Sequence, residues 1–188
     1  MWQTIPNLLT LLRFMLIPAF VVSFFMPGLG WRLLALILFM FAYFTDWLDG
    51  FLARKLAQTT PLGAFLDPVA DKLLVASGLI VVLTEHHHVY YTIPTVLIIS
   101  REIIISSLRE WMARLGRSDL VAVDNVGKIK TVFQGLALVI LISQPNANVG
   151  IFWAMIGYIL LYIALGLTLW SMIRYFVFAW PAIKRAAL

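Results

Sequence analysis

Cysteine is absent from the 188 residues, which excludes disulfides, thiolate metal ligands and a cysteine nucleophile but identifies no compartment. Charge is scarce as well. Only 12% of residues are charged, and nine acids stand against fourteen lysines and arginines. Soluble domains carry about twice that charged share. The deficit, with 62% hydrophobic residues, leaves more apolar surface than one chain can hide within itself. Lipid is therefore the expected solvent. So few charges also exclude an extended basic groove for nucleic acid, whereas the net charge of +5 suits a membrane face rich in anionic lipid. The chain opens on Trp2, Gln3 and Thr4 in place of a basic leader, and no small-residue cleavage site follows. This opening is expected to belong to the mature protein. A single domain over residues 1–188 is the expectation from length.

What the chain has in abundance is apolar run. A helix needs about 20 residues to cross the hydrocarbon. Phe14 to Trp31 and Thr131 to Ile173 provide such lengths without charge, the second divided by the turn cluster Ser143-Gln144-Pro145-Asn146-Ala147-Asn148. Three shorter runs, Leu33–Thr45, Leu73–Thr84 and His86–Ser100, adjoin helical segments that carry charges. Together they predict an all-α polytopic membrane protein of six transmembrane helices, over 7–26, 31–55, 64–84, 89–115, 125–143 and 149–177.

The charges fall in a pattern. Arg13 lies early in the first helix, and Asp46 and Asp49 lie late in the second. Asp67, Asp71 and Lys72 open the third; Arg101, Glu102 and Arg109 fall in the later part of the fourth; Lys128 and Lys130 open the fifth; Arg174 closes the sixth. With alternating helix directions, these positions share one half of the bilayer, and a polar cavity open to one face is expected. The same side carries Arg54, Lys55, Arg114, Arg117, Lys184 and Arg185, against Arg32 and His86-His87-His88 opposite. By the positive-inside rule that cavity and both termini face the cytoplasm. Trp2, Trp31, Trp47, Trp111, Trp153 and Trp180 fall near helix ends, as interfacial anchors do.

An aspartate at the membrane centre costs roughly 2.5–3.5 kcal/mol on insertion scales, so four of them require a partner. Asp46 and Asp49 are three apart and Asp67 and Asp71 four apart, which puts each pair on one helical face. All-oxygen donors favour Mg2+ or Mn2+. Buried salt bridges to Arg54, Lys72 and other bases are the plainer explanation, but they account for neither the compact acidic stretch nor Gly50 and Gly63 within it. With Ala53, those small residues let a ligand approach the backbone.

The residues Asp46-Trp-Leu-Asp49-Gly50-Phe-Leu-Ala53-Arg54, eight more, then Gly63-Ala-Phe-Leu-Asp67-Pro-Val-Ala-Asp71 read D-x-x-D-G-x-x-A-R-x(8)-G-x-x-x-D-x-x-x-D. This stretch resembles the signature of the CDP-alcohol phosphotransferases in all eight fixed positions. The resemblance implies a membrane enzyme that moves a phosphate-linked group from a CDP-linked donor to an alcohol and releases CMP. It implies that Asp46, Asp49, Asp67 and Asp71 hold divalent metal, that Asp71 is the general base, and that Gly50, Ala53, Arg54 and Gly63 line the donor site. It implies a homodimer as well.

Arg101, Arg109, Lys128 and Lys130 form a second, basic set. Arg101 and Arg109 are eight apart and share a face, while Glu102 and Glu110 are expected to turn away by about 100°. Bases without acids suggest a phosphate, so the acceptor alcohol is expected to carry one, as glycerol 3-phosphate or inositol phosphate does. The strings Arg101-Glu-Ile-Ile-Ile-Ser-Ser-Leu-Arg109, Gly127-Lys128-Ile-Lys130-Thr131 and Ile5-Pro6-Asn7-Leu-Leu-Thr10-Leu-Leu-Arg13 resemble bacterial family members whose substrates are CDP-diacylglycerol and sn-glycerol 3-phosphate. Asn7, Thr10 and Arg13 lie on one face at i, i+3 and i+6. The resemblance gives Asn7 to the donor and Thr10 and Arg13, with the basic set, to glycerol 3-phosphate. It places the enzyme in the bacterial inner membrane. A divalent-cation transporter built on the four aspartates is the reading from another class, and acids confined to half the membrane argue against it. His86-His87-His88 lies on the side away from the aspartates and reads as a polar turn.

Overall fold

A computed structural model describes residues 5–56, 61–86, 88–117, 125–144 and 151–186, and every extended element among them is an α-helix. The order is α1 (Ile5–Phe25), α2 (Leu29–Leu56), α3 (Pro61–Glu85), α4 (Val89–Arg114), α5 (Asn125–Ser143) and α6 (Ile151–Ala186). Helices α1, α2, α4 and α6 are long and apolar enough to cross a membrane. Only 28–39% of the residues in those spans are buried. Their outer faces carry Met15, Ile37, Phe44, Ile103, Trp170 and Val177, which water would not tolerate in such density. The protein is a polytopic helical membrane protein.

Two boundaries differ from the sequence expectation by more than two residues. Helix α3 starts at Pro61, three residues early, because proline at a first helical position gives up no hydrogen bond. Helix α6 runs past the expected end at residue 177 and continues to Ala186. At 1.5 Å per residue its 36 residues reach about 54 Å, well beyond the hydrocarbon thickness. Packing supplies the reason: Tyr175 and Ala179 bury against Ile105, Leu108 and Met112 of α4, with Met172, Ala182 and Ile183 around them.

The chain divides into two compact units. The first comprises residues 1–86 and 138–154. Within it α1 packs on α2 and α3, and α2 on α3. Phe20, Phe39, Leu79, Leu138 and Leu141 are fully enclosed, and the Phe20 and Phe39 rings lie 5.2 Å apart. Gly78 makes the close approach possible, since a Cβ there would stand 2.8 Å from the Phe39 ring. Membrane helices commonly pack on such small residues.

Arg32 holds one end of this unit together. Its Nε donates to the Ile142 carbonyl at 2.6 Å, and Nη2 to the Gln144 carbonyl at 2.7 Å and to Glu85 Oε2 at 2.6 Å. Nη1 completes a bidentate pair with Glu85, and the guanidinium carbon sits 4.1 Å from the centroid of the Phe24 ring. One residue thus joins α1, α2, α3 and the end of α5. Replacing one partner of a buried pair strands the other. Arg32→Met is expected to lower stability by about 3 kcal/mol, read as the denaturation midpoint in detergent.

The second unit comprises residues 87–137 and 155–188. It holds α4, most of α5 and nearly all of α6. Helix α4 ends in a Schellman arrangement. Arg117 N donates to Met112 O at 2.8 Å and Gly116 N to Ala113 O at 3.0 Å. Gly116 has φ +67°, a conformation that glycine adopts without strain.

Candidate active site

Helix α1 presents one buried polar face: Asn7, Thr10 and Arg13 are each 0–1% exposed. The 3.6-residue repeat sets them in a row, and the aspartates of α2 and α3 meet that row. Thr10 Oγ1 donates to Asp67 Oδ1 at 2.6 Å. Arg13 Nη1 donates to Asp46 Oδ1 at 3.0 Å and to Asp71 Oδ1 at 2.5 Å. A single guanidinium nitrogen therefore holds carboxylates from two helices. The Asp46 and Asp71 side chains remain 41% and 46% exposed, so they are reachable from outside while Arg13 is not. Gly63 is buried on the first turn of α3. The side chains of Asp49, Gly50, Ala53, Arg54 and Lys128 lie outside the described residues.

Three of the four expected metal ligands thus gather on one face of α1. The sequence resemblance gives Thr10 and Arg13 to the acceptor phosphate, and the structure shows both hydrogen-bonded to the aspartates. The reason is charge. Two carboxylates brought together on low-dielectric helices take the nearest buried cation, and Arg13 faces them from one helix away. The salt-bridge reading of the aspartates is correct to that extent, with Arg13 as the described partner. Among the described residues no three acidic or histidine side chains form a ready-made metal cage. The donor chemistry nevertheless fits a hard divalent ion, being carboxylate oxygen on half-exposed side chains.

Thr10 tests this support directly. Thr10→Val keeps the shape and removes the hydroxyl that donates to Asp67. With Asp67 as a metal ligand, which the sequence resemblance implies, outer hydrogen bonds of this kind are worth about 10–100-fold in metal affinity. On that expectation the metal concentration for half-maximal activity rises about tenfold, measured by titrating metal into metal-stripped protein.

The second unit holds the basic set. Arg101 is 4% exposed and Lys130 7% exposed. Arg101 Nη2 donates to Ser171 Oγ at 2.5 Å, and Arg109 Nη2 donates to Tyr175 Oη at 3.1 Å. The Arg109 guanidinium also lies 5.2 Å from the centre of the Tyr175 ring. One expectation is corrected here. Glu102 does not turn away: its Oε1 accepts from Arg101 Nη1 at 2.8 Å and from Lys130 Nζ at 2.7 Å. Neighbouring Cβ atoms diverge by about 100°, but both side chains are long and flexible, and Lys130 draws the carboxylate from a third direction. Glu110 pairs instead with Arg114 at the exposed end of α4.

Sequence reasoning missed Glu102, Ser171 and Tyr175. The signal for the last two was present, since Thr168, Ser171 and Tyr175 fall at i, i+3 and i+7 along a mostly apolar helix.

Fold and site together define a helical membrane protein with a half-exposed carboxylate centre in one unit and a buried cationic set in the other. A family model for CDP-alcohol phosphatidyltransferase matches residues 3–170, and the chain belongs to that family. It is 51% identical over 183 residues to a CDP-diacylglycerol–glycerol-3-phosphate 3-phosphatidyltransferase of Pseudomonas fluorescens, covering 97% of this chain and 93% of that one. A protein of the same name from Yersinia enterocolitica is 50% identical over 181 residues, covering 96% and 97%. Another from Pectobacterium atrosepticum is 51% identical over 171 residues, covering 91% and 92%.

Proposed function

We propose that the chain transfers the phosphatidyl group of CDP-diacylglycerol to sn-glycerol 3-phosphate, giving phosphatidylglycerophosphate and CMP. The observation that carries this reading is the meeting of Asp46 and Asp71 at one nitrogen of buried Arg13, within a chain half identical to relatives bearing that activity. In this reading the primary hydroxyl of glycerol 3-phosphate attacks the lipid-side phosphorus of the donor. The new P–O bond forms as the bond to CMP breaks, and the hydroxyl proton passes to Asp71. Asp71 has the exposure that a base needs, and Arg13 fixes its carboxylate in place.

Asp46, Asp49, Asp67 and Asp71 would hold the Mg2+ or Mn2+, which supplies charge stabilisation at the donor's pyrophosphate. Gly50, Ala53, Arg54, Gly63 and Asn7 bind the CDP-diacylglycerol head. Arg101, Arg109, Lys128 and Lys130 bind the acceptor's phosphate. Thr10 and Arg13 bind that phosphate too, and they orient the carboxylates. The whole chain acts as one catalytic domain, in the bacterial inner membrane, with termini and site on the cytoplasmic side and two copies per assembly. The clustering of Lys and Arg in the loops of one side supports that orientation.

The test is CMP release by detergent-purified protein given magnesium and CDP-diacylglycerol, with each acceptor supplied in turn. Release with glycerol 3-phosphate alone is expected. Release only with inositol phosphate, serine or phosphatidylglycerol would keep the carboxylate chemistry and overturn the acceptor. No release from folded protein with any acceptor would overturn the enzyme and return cation transport to contention.

A further inference from the structure

The buried cluster of the second unit has too many donors for its acceptors. Arg101 Nη1 and Lys130 Nζ share a single oxygen, Glu102 Oε1. Arg101 Nη2 takes Ser171 Oγ, whose own proton goes to the Thr168 carbonyl at 3.0 Å. Arg101 Nε finds no acceptor among the described residues, and neither does Nε2 of Gln134, which lies one turn beyond Lys130 on α5 and is 3% exposed. The Thr168 hydroxyl, fully enclosed one turn before Ser171, is also without a partner there. Buried donors are ordinarily satisfied, so the unmatched Arg101 Nε, with Gln134 on the helix face of Lys130 and Thr168 on that of Ser171, marks a place built for further oxygens.

The members differ in freedom. Arg101 and Lys130 are enclosed, and Ser171 anchors the arginine. The Glu102 side chain is 26% exposed, so it alone has somewhere to go. A phosphate dianion brings more acceptor oxygens and twice the charge of the carboxylate to the same two cations. We propose that Glu102 is an internal counter-anion that occupies the acceptor phosphate's place between Arg101 and Lys130 and swings out when that phosphate binds. The inference rests on the acceptor reading above and adds a selection rule to it. An alcohol without a dianionic group cannot displace Glu102, so glycerol itself is refused although its hydroxyl could react. Glu102 is in this sense a specificity-determining residue and not a catalytic one.

The experiment compares wild type with Glu102→Gln, both saturated with CDP-diacylglycerol analogue in detergent, and measures glycerol 3-phosphate binding by calorimetry. Removing the competing charge is expected to lower the dissociation constant about tenfold, which is about 1.4 kcal/mol. KM should fall in step, with kcat held within about threefold. Without ligand the variant should melt earlier, and saturating inorganic phosphate should restore more of its midpoint than it adds to wild type. A merely structural glutamate would give neither the tighter binding nor the larger rescue. Glu110→Gln, on the exposed Arg114 pair, should change none of these constants. An unchanged or raised dissociation constant in Glu102→Gln overturns the exchange. Should that variant fail to fold, Glu102→Asp keeps the charge but shortens its reach, and it should bind several-fold more tightly than wild type; equal or weaker binding overturns the proposal. Intact turnover of glycerol 3-phosphate without tightening sinks the exchange and spares the function. Tightening seen only with inositol phosphate keeps the exchange and overturns the acceptor.

Discussion

Asp71→Asn is expected to reduce CMP release by at least 10³-fold while leaving a folded protein. A positioned general base contributes about 10²–10⁴-fold, and in the proposed reading this carboxylate touches the metal as well. The fold should survive for a specific reason: Arg13 keeps Asp46 at 3.0 Å, and the new amide oxygen can still accept from the same guanidinium. Single-turnover CMP release and the denaturation midpoint, measured on one preparation, check both halves. Activity within tenfold of wild type would remove Asp71 as the base and leave proton transfer to another group on the α1 face.

Arg13→Gln should be nearly as severe and should fail in a different way. Arg13 is fully enclosed, and it sets Asp46 and Asp71 to either side of one nitrogen. Without it, two carboxylates face each other with no fixed cation between them. Breaking a buried pair costs about 3–5 kcal/mol; because both carboxylates are nearly half exposed, about 1–3 kcal/mol is expected here. Turnover should fall at least 100-fold through lost orientation of Asp71. The distinguishing sign is metal dependence. A divalent ion can replace the missing positive charge, so magnesium should raise the variant's denaturation midpoint by more than it raises wild type's. Equal metal effects on the two proteins would show that Arg13 does not serve as the resting cation of the carboxylate centre.

The contrast between Arg32 and Arg101 shows where each cation is employed. Arg32 spends Nε, Nη1 and Nη2 on two carbonyls and on Glu85 within the first unit. Arg101 leaves its Nε over among the described residues, and that surplus is what gives the second unit a ligand to wait for. Composition alone would have counted the two as equal contributions to a net positive charge.

Much of this protein was determined by its sequence. The scarcity of charge and the length of the apolar runs dictated membrane helices, because no packing of one chain can bury so much greasy surface. The six helices followed, as did the common face of Asn7, Thr10 and Arg13, since a 3.6-residue repeat is a local property. The eight positions from Asp46 to Asp71 gave the family before any coordinate was known. Tertiary structure decided what those side chains touch. Which cation neutralises Asp46 and Asp71 depends on the approach of α1 to α2 and α3, and the choice fell on Arg13. Whether Glu102 avoids Arg101 or bridges it depends on where Lys130 arrives from α5. The length of α6 past residue 177 depends on the apolar side chains of α4 against which it buries Ala179. Each of these is a contact between helices distant in the chain, set by packing and by the need to neutralise buried charge, and periodicity along a single helix carries no record of it.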